Sequence, residues 1–348
     1  TGQTAFRSVF QNTNDSPNDI VGIVHATDGR LTQIAREQRA TVTRPGLTSV
    51  AGAAVNSSGD VALKATFVQS NLAGGDTFRQ LYIDDGTSLI KIAEEGERYS
   101  YKQDENYRFH TFLGTALSDD GQLAFRAHVV DPQDGTESEG IWLRDRIFDA
   151  PNRDRFPIAV GDYGESQWIH KWMNTNGNSY RLLADFGDPA VNDHGQVAFW
   201  AMTQHGAGIF LGNGYDNFEV ARVGRPLGES VVTSLEFHEG GPAGGDAKSG
   251  LNNQGQVAYK AILENGEQVV ARFSMLDEIH WSSSSDGWWD DGHWTQGIVP
   301  NSFHNTFIQP NDGAEVRIQR CDSTRPDYLT TPVYVRTLTI GAADSGET

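Results

Sequence analysis

Asn192-Asp-His-Gly-Gln-Val-Ala-Phe199-Trp200 is one copy of a phrase that returns along the chain. The others are Gly2-Gln-Thr-Ala-Phe6-Arg7, Gly59-Asp-Val-Ala-Leu63-Lys64, Gly121-Gln-Leu-Ala-Phe125-Arg126 and Gly255-Gln-Val-Ala-Tyr259-Lys260. Four copies follow an Asn/Ser-x-x turn, opened by Asn56, Ser118, Asn192 and Asn252. The glycines are 57, 62, 74 and 60 residues apart. A near-constant period of this size marks one supersecondary unit copied and stacked.

Each copy has the same internal order. The alternating Gly-Gln-Val-Ala-Phe strand comes first. A second strand follows, as in Gly140-Ile-Trp-Leu-Arg144 or Gly208-Ile-Phe-Leu-Gly212. Asp28-Gly29 and Asp85-Gly86 read as hairpin turns into a third strand. A fourth strand, as in Gly114-Thr-Ala-Leu117, runs into the next turn. Four antiparallel strands per period predict an all-β chain. The reading is a β-propeller of about five four-stranded repeats over residues 1–275, with a sixth completed by residues beyond these ends as one way to close the ring. An open array that stacks without closing is the alternative, and closure is preferred because it removes exposed sheet edges.

The pattern ends near Met275, and the composition changes beyond it. Four of the eight tryptophans fall at 281, 288, 289 and 294. Short alternating strands follow at Ala314–Ile318 and Val333–Ile340. Residues 276–348 therefore read as a Trp-rich linker and the start of a β-solenoid-like domain, with the tryptophans capping its end or forming a sugar-stacking patch.

Composition fits this picture. Hydrophobic residues make up 37% of 348 positions and glycine numbers 38, so the core is modest and turns are many. A formal net charge of −19 repels phosphates, which argues against nucleic acid or an anionic membrane surface as partner. One cysteine, Cys321, forbids an internal disulfide, and no run approaches the roughly 20 apolar residues of a membrane span. Thr1 falls inside a repeat, one residue before its glycine, and the chain stops at Gly346-Glu-Thr without a recognisable ending, so the expectation is a trimmed piece of something longer.

The Asn-x-x-Gly-x-x-Ala-Phe phrase resembles exported bacterial surface proteins built from tandem NxxGxxAF repeats, over roughly residues 1–275. The Trp-x-x-Gly-x-x-Pro tail resembles repeats of the same anchor-bearing proteins. That resemblance implies an extracellular or cell-surface location, with adhesion or filament assembly as the role. A weaker resemblance to propeller-fold ulvan lyases implies a His pair, a Tyr and an Arg at a site.

Candidate residues follow from chemistry. Turns rich in Asn and Asp suit calcium, yet Asn or Asp opening a turn closed by a positive-φ Gly explains them without a cation. No cofactor is expected. The position after each aromatic or Leu carries Arg7, Lys64, Arg126, Trp200 and Lys260, a repeated set that suits acidic sugars or else covers a neighbouring blade with long stems. Trp168 and Trp172 lie in the longest inter-repeat segment and join this binding set. For catalysis, a polysaccharide lyase needs a carboxylate neutraliser, a base and an acid, and His110, His128, Arg126 and Tyr180 are the bets. Neither a Gly-x-Ser-x-Gly elbow, an HExxH, a phosphate loop nor a CxxC occurs.

The reading reached is a non-enzymatic repeat module outside the cell that binds polysaccharide or assembles with other copies or surface proteins. The alternative is a lyase that cleaves a uronate-containing glycan by β-elimination.

Overall fold

The computed structural model describes residues 4–10, 20–27, 30–36, 46–69, 76–98, 107–144, 155–162, 172–173, 179–180, 182–213, 217–238, 249–275, 278–281, 287–288, 305–308, 316–317 and 337–340. Every regular element among them is a strand, and none is a helix. Trp168, proposed for sugar binding, lies outside the described residues, and so do the side chains of Arg7, Trp172 and Tyr180.

Five antiparallel sheets follow one another along the chain. The first holds β1 (Thr4–Phe10), β2 (Ile20–Thr27) and β3 (Arg30–Arg36). The second holds β4 (Gly46–Val55), β5 (Val61–Val68), β6 (Thr77–Asp84) and β7 (Leu89–Glu94). The third holds β8 (Arg108–Leu117), β9 (Leu123–Val130), β10 (Glu137–Arg144) and β11 (Arg155–Asp162). After a small ladder of β12 (Trp172–Met173) and β13 (Ser179–Tyr180) comes the fourth sheet. It holds β14 (Leu182–Phe186), β15 (Ala190–Val191), β16 (Val197–Thr203), β17 (Gly206–Gly212) and β18 (Asn217–Arg222), and one parallel pairing, Asp162 with Leu183, ties it to the third. The fifth holds β19 (Pro226–Leu227), β20 (Ser230–Phe237), β21 (Val257–Leu263) and β22 (Gln268–Phe273).

The sheet frame is offset from the sequence repeat. The strand that ends one period, such as Gly114–Leu117, pairs with the Gly-Gln-Val-Ala-Phe strand of the next, so the Asn-x-x-Gly turn is a hairpin inside a sheet. Past Met275 the pairing changes from antiparallel to parallel. β23 (Glu278–His280), β25 (Asn305–Ile308) and β27 (Thr337–Ile340) are parallel, with Glu278, Asn305 and Thr337 in line. In a separate ladder β24 (Gly287–Trp288) pairs in parallel with β26 (Val316–Arg317).

Alternation on the repeated strand explains how the sheets stack. Successive side chains point to opposite faces, so Val and Phe go one way and Ala the other. Val61, Leu63 and Ala65 pack on Ile23 and Ala35 of the first sheet, while Ala62 packs on the third. Leu123, Phe125 and Ala127 turn back to the second sheet, while Ala124 faces the fourth. Val197 and Phe199 turn back to the third, while Ala198 faces the fifth. Each contact thus sets a large-residue face against the small-residue face of the sheet before it. The methyl of Ala leaves room for the rings opposite. Between second and third sheets those rings are Phe109, Phe112, Phe125 and Trp142, with Phe125 and Trp142 stacked at 6.0 Å. Burial of each such side chain is worth about 1.5–3 kcal/mol.

A second device links the sheets at one end. In each turn the Gly has positive φ, +94° at Gly59 and +72° at Gly195, where a Cβ is strained. Asn56 Nδ2 donates to Ser118 O of the next turn at 2.9 Å, and Asn192 Nδ2 donates to Asn252 O at 2.9 Å. One residue on, the backbone amide of Ser57 donates to Asp119 Oδ1 at 2.8 Å, Asp119 to Asp193 Oδ1 at 2.7 Å and Asp193 to Asn253 Oδ1 at 3.1 Å. The turns form a continuous hydrogen-bonded chain from the second sheet to the fifth. Of the Asp and Asn residues weighed for calcium, Asp119, Asp193 and Asn253 accept backbone amides of the neighbouring turn, while Asn56, Asn192 and Asn252 accept amides of their own.

Candidate functional site

In the second and third sheets the residue that follows Ala-Leu or Ala-Phe lies on the Ala face and reaches the next sheet. Lys64 Nζ donates to Leu113 O on β8 of the third sheet. Arg126 Nη1 donates to Phe186 O on β14 of the fourth. Both cations therefore bridge adjacent sheets. Burial lowers the Lys64 pKa, opposed by the nearby Asp188 carboxylate and reinforced by Arg126. Arg126 also stands 3.3 Å from Glu139 Oε1, and its Nε lies 2.9 Å from Asp188 Oδ1 in an ion pair that is not aligned for a hydrogen bond. Asp188 occupies space over Gly114, where a Cβ would fall 2.0 Å from its carboxyl carbon.

Of the residues expected to carry catalysis, the structure gathers two. His128 Nε2 is 3.5 Å from Glu139 Oε2, so Arg126 and His128 flank one carboxylate on β10. His110 is exposed and turned towards the second sheet, with Nδ1 3.5 Å from Glu95 Oε1. The backbone of Tyr180 pairs with that of Trp172 in the small ladder between third and fourth sheets.

The binding set divides differently. Lys64 is engaged between sheets, whereas Trp200 and Lys260 come together at a cleft of about 700 Å³ at the fifth sheet. Trp200, half-buried on β16, packs against the core between fourth and fifth sheets. Glu236, His238, Tyr259 and Lys260 of the fifth sheet and its flank also line it. Burial raises the Tyr259 pKa, so its phenol keeps its proton at neutral pH. Lys260 Nζ pairs with Glu236 Oε1 at 3.0 Å and Oε2 at 3.2 Å, and both side chains are open to solvent.

The Ala face of the fifth sheet, part of which lines this cleft, is open. The residues across the ladder from the position after Ala-Phe are Leu81, Ile141, Ile209 and Val270 in the second to fifth sheets. The first three are 0% exposed, and Val270 is 84% exposed. Ala62, Ala124 and Ala198 are buried, and Ala258 is exposed. Ala258 pairs with Arg272, where the equivalent partners are Ile83, Leu143 and Leu211.

Glu236, His238, Val270 and Arg272 did not stand out as site residues in the sequence. A signal for one was present: aligning the second strands sets Arg272 of Gln268-Val-Val-Ala-Arg272 against Leu211 of Gly208-Ile-Phe-Leu-Gly212.

Residues 1–147 and 174–271 match a family of unknown function, DUF7453. No curated protein matches the chain. Among solved structures, an alpha-L-arabinanase of Penicillium chrysogenum complexed with arabinobiose is similar at 9% identity, over 78% of this chain and 72% of that one, with a TM-score of 0.32. The polysaccharide lyase Uly1 is similar at 10% identity, over 78% of this chain and 75% of that one, with a TM-score of 0.26.

Proposed function

We propose, for a chain that belongs to the DUF7453 family of unknown function, that it is a non-enzymatic binding module which holds a polysaccharide at the open face of its fifth sheet. The carrying observation is the exposure of Val270 and Ala258 at positions buried in the preceding sheets, beside a cleft walled by Trp200. An indole offers a flat apolar face to a sugar ring, and the polar groups of Glu236, His238 and Lys260 supply hydrogen bonds around it.

The non-enzymatic part rests on how the candidate catalytic cation is used. Arg126 already faces two carboxylates and a backbone carbonyl of the next sheet, so its charge is committed to the stack. In this reading the five sheets are blades of a propeller-type array and residues 276–348 begin a β-solenoid. The whole sits outside a bacterial cell, as the resemblance to exported NxxGxxAF proteins implies, and the net charge of −19 suits it.

Affinity electrophoresis against a polysaccharide panel tests the reading. Retarded migration is expected, and Trp200→Leu, which keeps apolar packing but removes the ring face, is expected to abolish it. Free migration through every gel would sink it. The lyase alternative is tested on the same panel by ultraviolet absorbance. A rise that disappears in His128→Ala and Arg126→Ala would replace the binding module with an enzyme acting at the third sheet.

A further inference from the structure

We infer that the polysaccharide held at the fifth sheet is acidic, with carboxylates on its sugar units that are taken by Lys260 and Arg272. The inference rests on the cleft being a glycan site and names the class of glycan.

Charge placement leads to it. In a chain of net charge −19, the described cations of the repeated position in the second and third sheets are spent on architecture: Lys64 on Leu113 O, Arg126 on Phe186 O and its two carboxylates. Among the described residues Lys260 makes no bond to a further sheet. Its partner is Glu236, at 38% and 61% side-chain exposure, and an exposed pair of this kind is worth about 0–1 kcal/mol. A carboxylate from a ligand can therefore take the place of Glu236 at little cost.

Arg272 adds the second cation. It projects from the same face of β22 as Val270, two residues away, and stands opposite Ala258 while Lys260 stands opposite Val270. Lys260 and Arg272 are therefore diagonal neighbours on adjacent strands, within reach of one bound segment. Arg272 is exposed and has no hydrogen-bond or ion-pair partner among the described residues. A guanidinium offers parallel N–H donors in a plane that matches a carboxylate, which favours an acid over a neutral hydroxyl. His238 is exposed and lines the same cleft. At the matching point of the second, third and fourth sheets the residue is Ile83, Leu143 or Leu211, so the basic character belongs to the open face.

The test is isothermal titration with polygalacturonate, alginate and hyaluronan, each beside its carboxyl-reduced neutral counterpart at one fixed salt concentration. At least one acidic form is expected to bind about tenfold or more tightly than its counterpart, a difference of about 1.4 kcal/mol. The double variant Lys260→Gln/Arg272→Gln is expected to lose that preference while its melting temperature stays with the parent's. Equal binding of acidic and neutral forms would overturn the inference and leave the glycan cleft standing. A preference that survives in the double variant would also overturn it, since the carboxylates would be read elsewhere. Binding to none of the six, with Trp200→Leu unchanged from the parent, would remove the glycan reading itself.

Discussion

The fourth and fifth sheets present the same face to different surroundings. On the fourth, Ala198, Ile209 and Leu211 are sealed beneath the fifth sheet, and Trp200 leans into the shared core. On the fifth, Ala258 and Val270 are open, and Arg272 replaces the third apolar residue. The backbone pairing is the same in both, since Trp200 faces Ile209 and Lys260 faces Val270 across equivalent ladders. Side chains at a repeated position therefore take their role from the next sheet, and the repeat alone does not assign it.

The largest effect should come from exchanging the two environments. Leu211→Arg places in the covered face the residue type that the fifth sheet carries in the open one. A buried, unpaired guanidinium is expected to cost more than about 4 kcal/mol, enough to unfold much of the stack. Arg272→Leu, the reverse exchange, should change stability by no more than about 0.5 kcal/mol. Urea unfolding of the pair measures both. Similar losses in the two variants would mean that the fifth sheet is covered in solution, and the cleft with it.

Much of this architecture was legible in the repeat. Val, Ala and Phe at alternating positions predict strands with a large and a small face, and the period predicts stacked units. The offset of the sheets was not legible, because strand order along a period does not say which neighbour the fourth strand joins. The linking of one turn to the next was also hidden. Asn192 and Asp193 satisfy the rules of a turn by themselves, and their bonds to Asn252 and Asn253 appear only when two hairpins 60 residues apart lie side by side. Trp200 and Lys260 were singled out as binding candidates by position within the repeat, and both line one cleft. Arg272 was missed because a single exposed arginine on a strand has no meaning until its covered equivalents are known.

The turn chain gives a second, smaller contrast. Asn192 is 3% exposed, and its amide bonds both to its own turn and to Asn252 O. Asn252 keeps the internal bonds, to Gln256 Oε1 at 2.9 Å and from Gln256 N at 2.9 Å, but is exposed and reaches no further turn among the described residues. Asn192→Ala leaves buried partners unmatched and is expected to cost about 1–3 kcal/mol, whereas Asn252→Ala should cost about 0.5–1 kcal/mol. Thermal unfolding of the two variants separates them. Equal losses would reduce the Asn to its role within the turn and remove the inter-sheet link from the stability of the stack.

The least of these effects is a pH dependence that only a covered lysine can show. Burial between the second and third sheets disfavours the charged form of Lys64, so its folded pKa lies below the ordinary 10.5. Between that lowered value and 10.5 the unfolded chain binds more protons than the folded one, and stability contributed by this group rises with pH. Below the window both states are protonated and the full cost of the buried ammonium is present; above 10.5 both are neutral and the cost is gone. The opposition of Asp188, which favours the charge, makes the rise small. Chemical unfolding measured through this window in the parent and in Lys64→Met isolates it, because every other titrating group is common to the two proteins. The parent should gain stability on the variant as pH rises. A difference that stays flat, or that falls, would show the Lys64 ammonium to be as well solvated in the folded chain as in the unfolded one, and its bond to Leu113 O would then be a surface contact rather than a link across a closed interface.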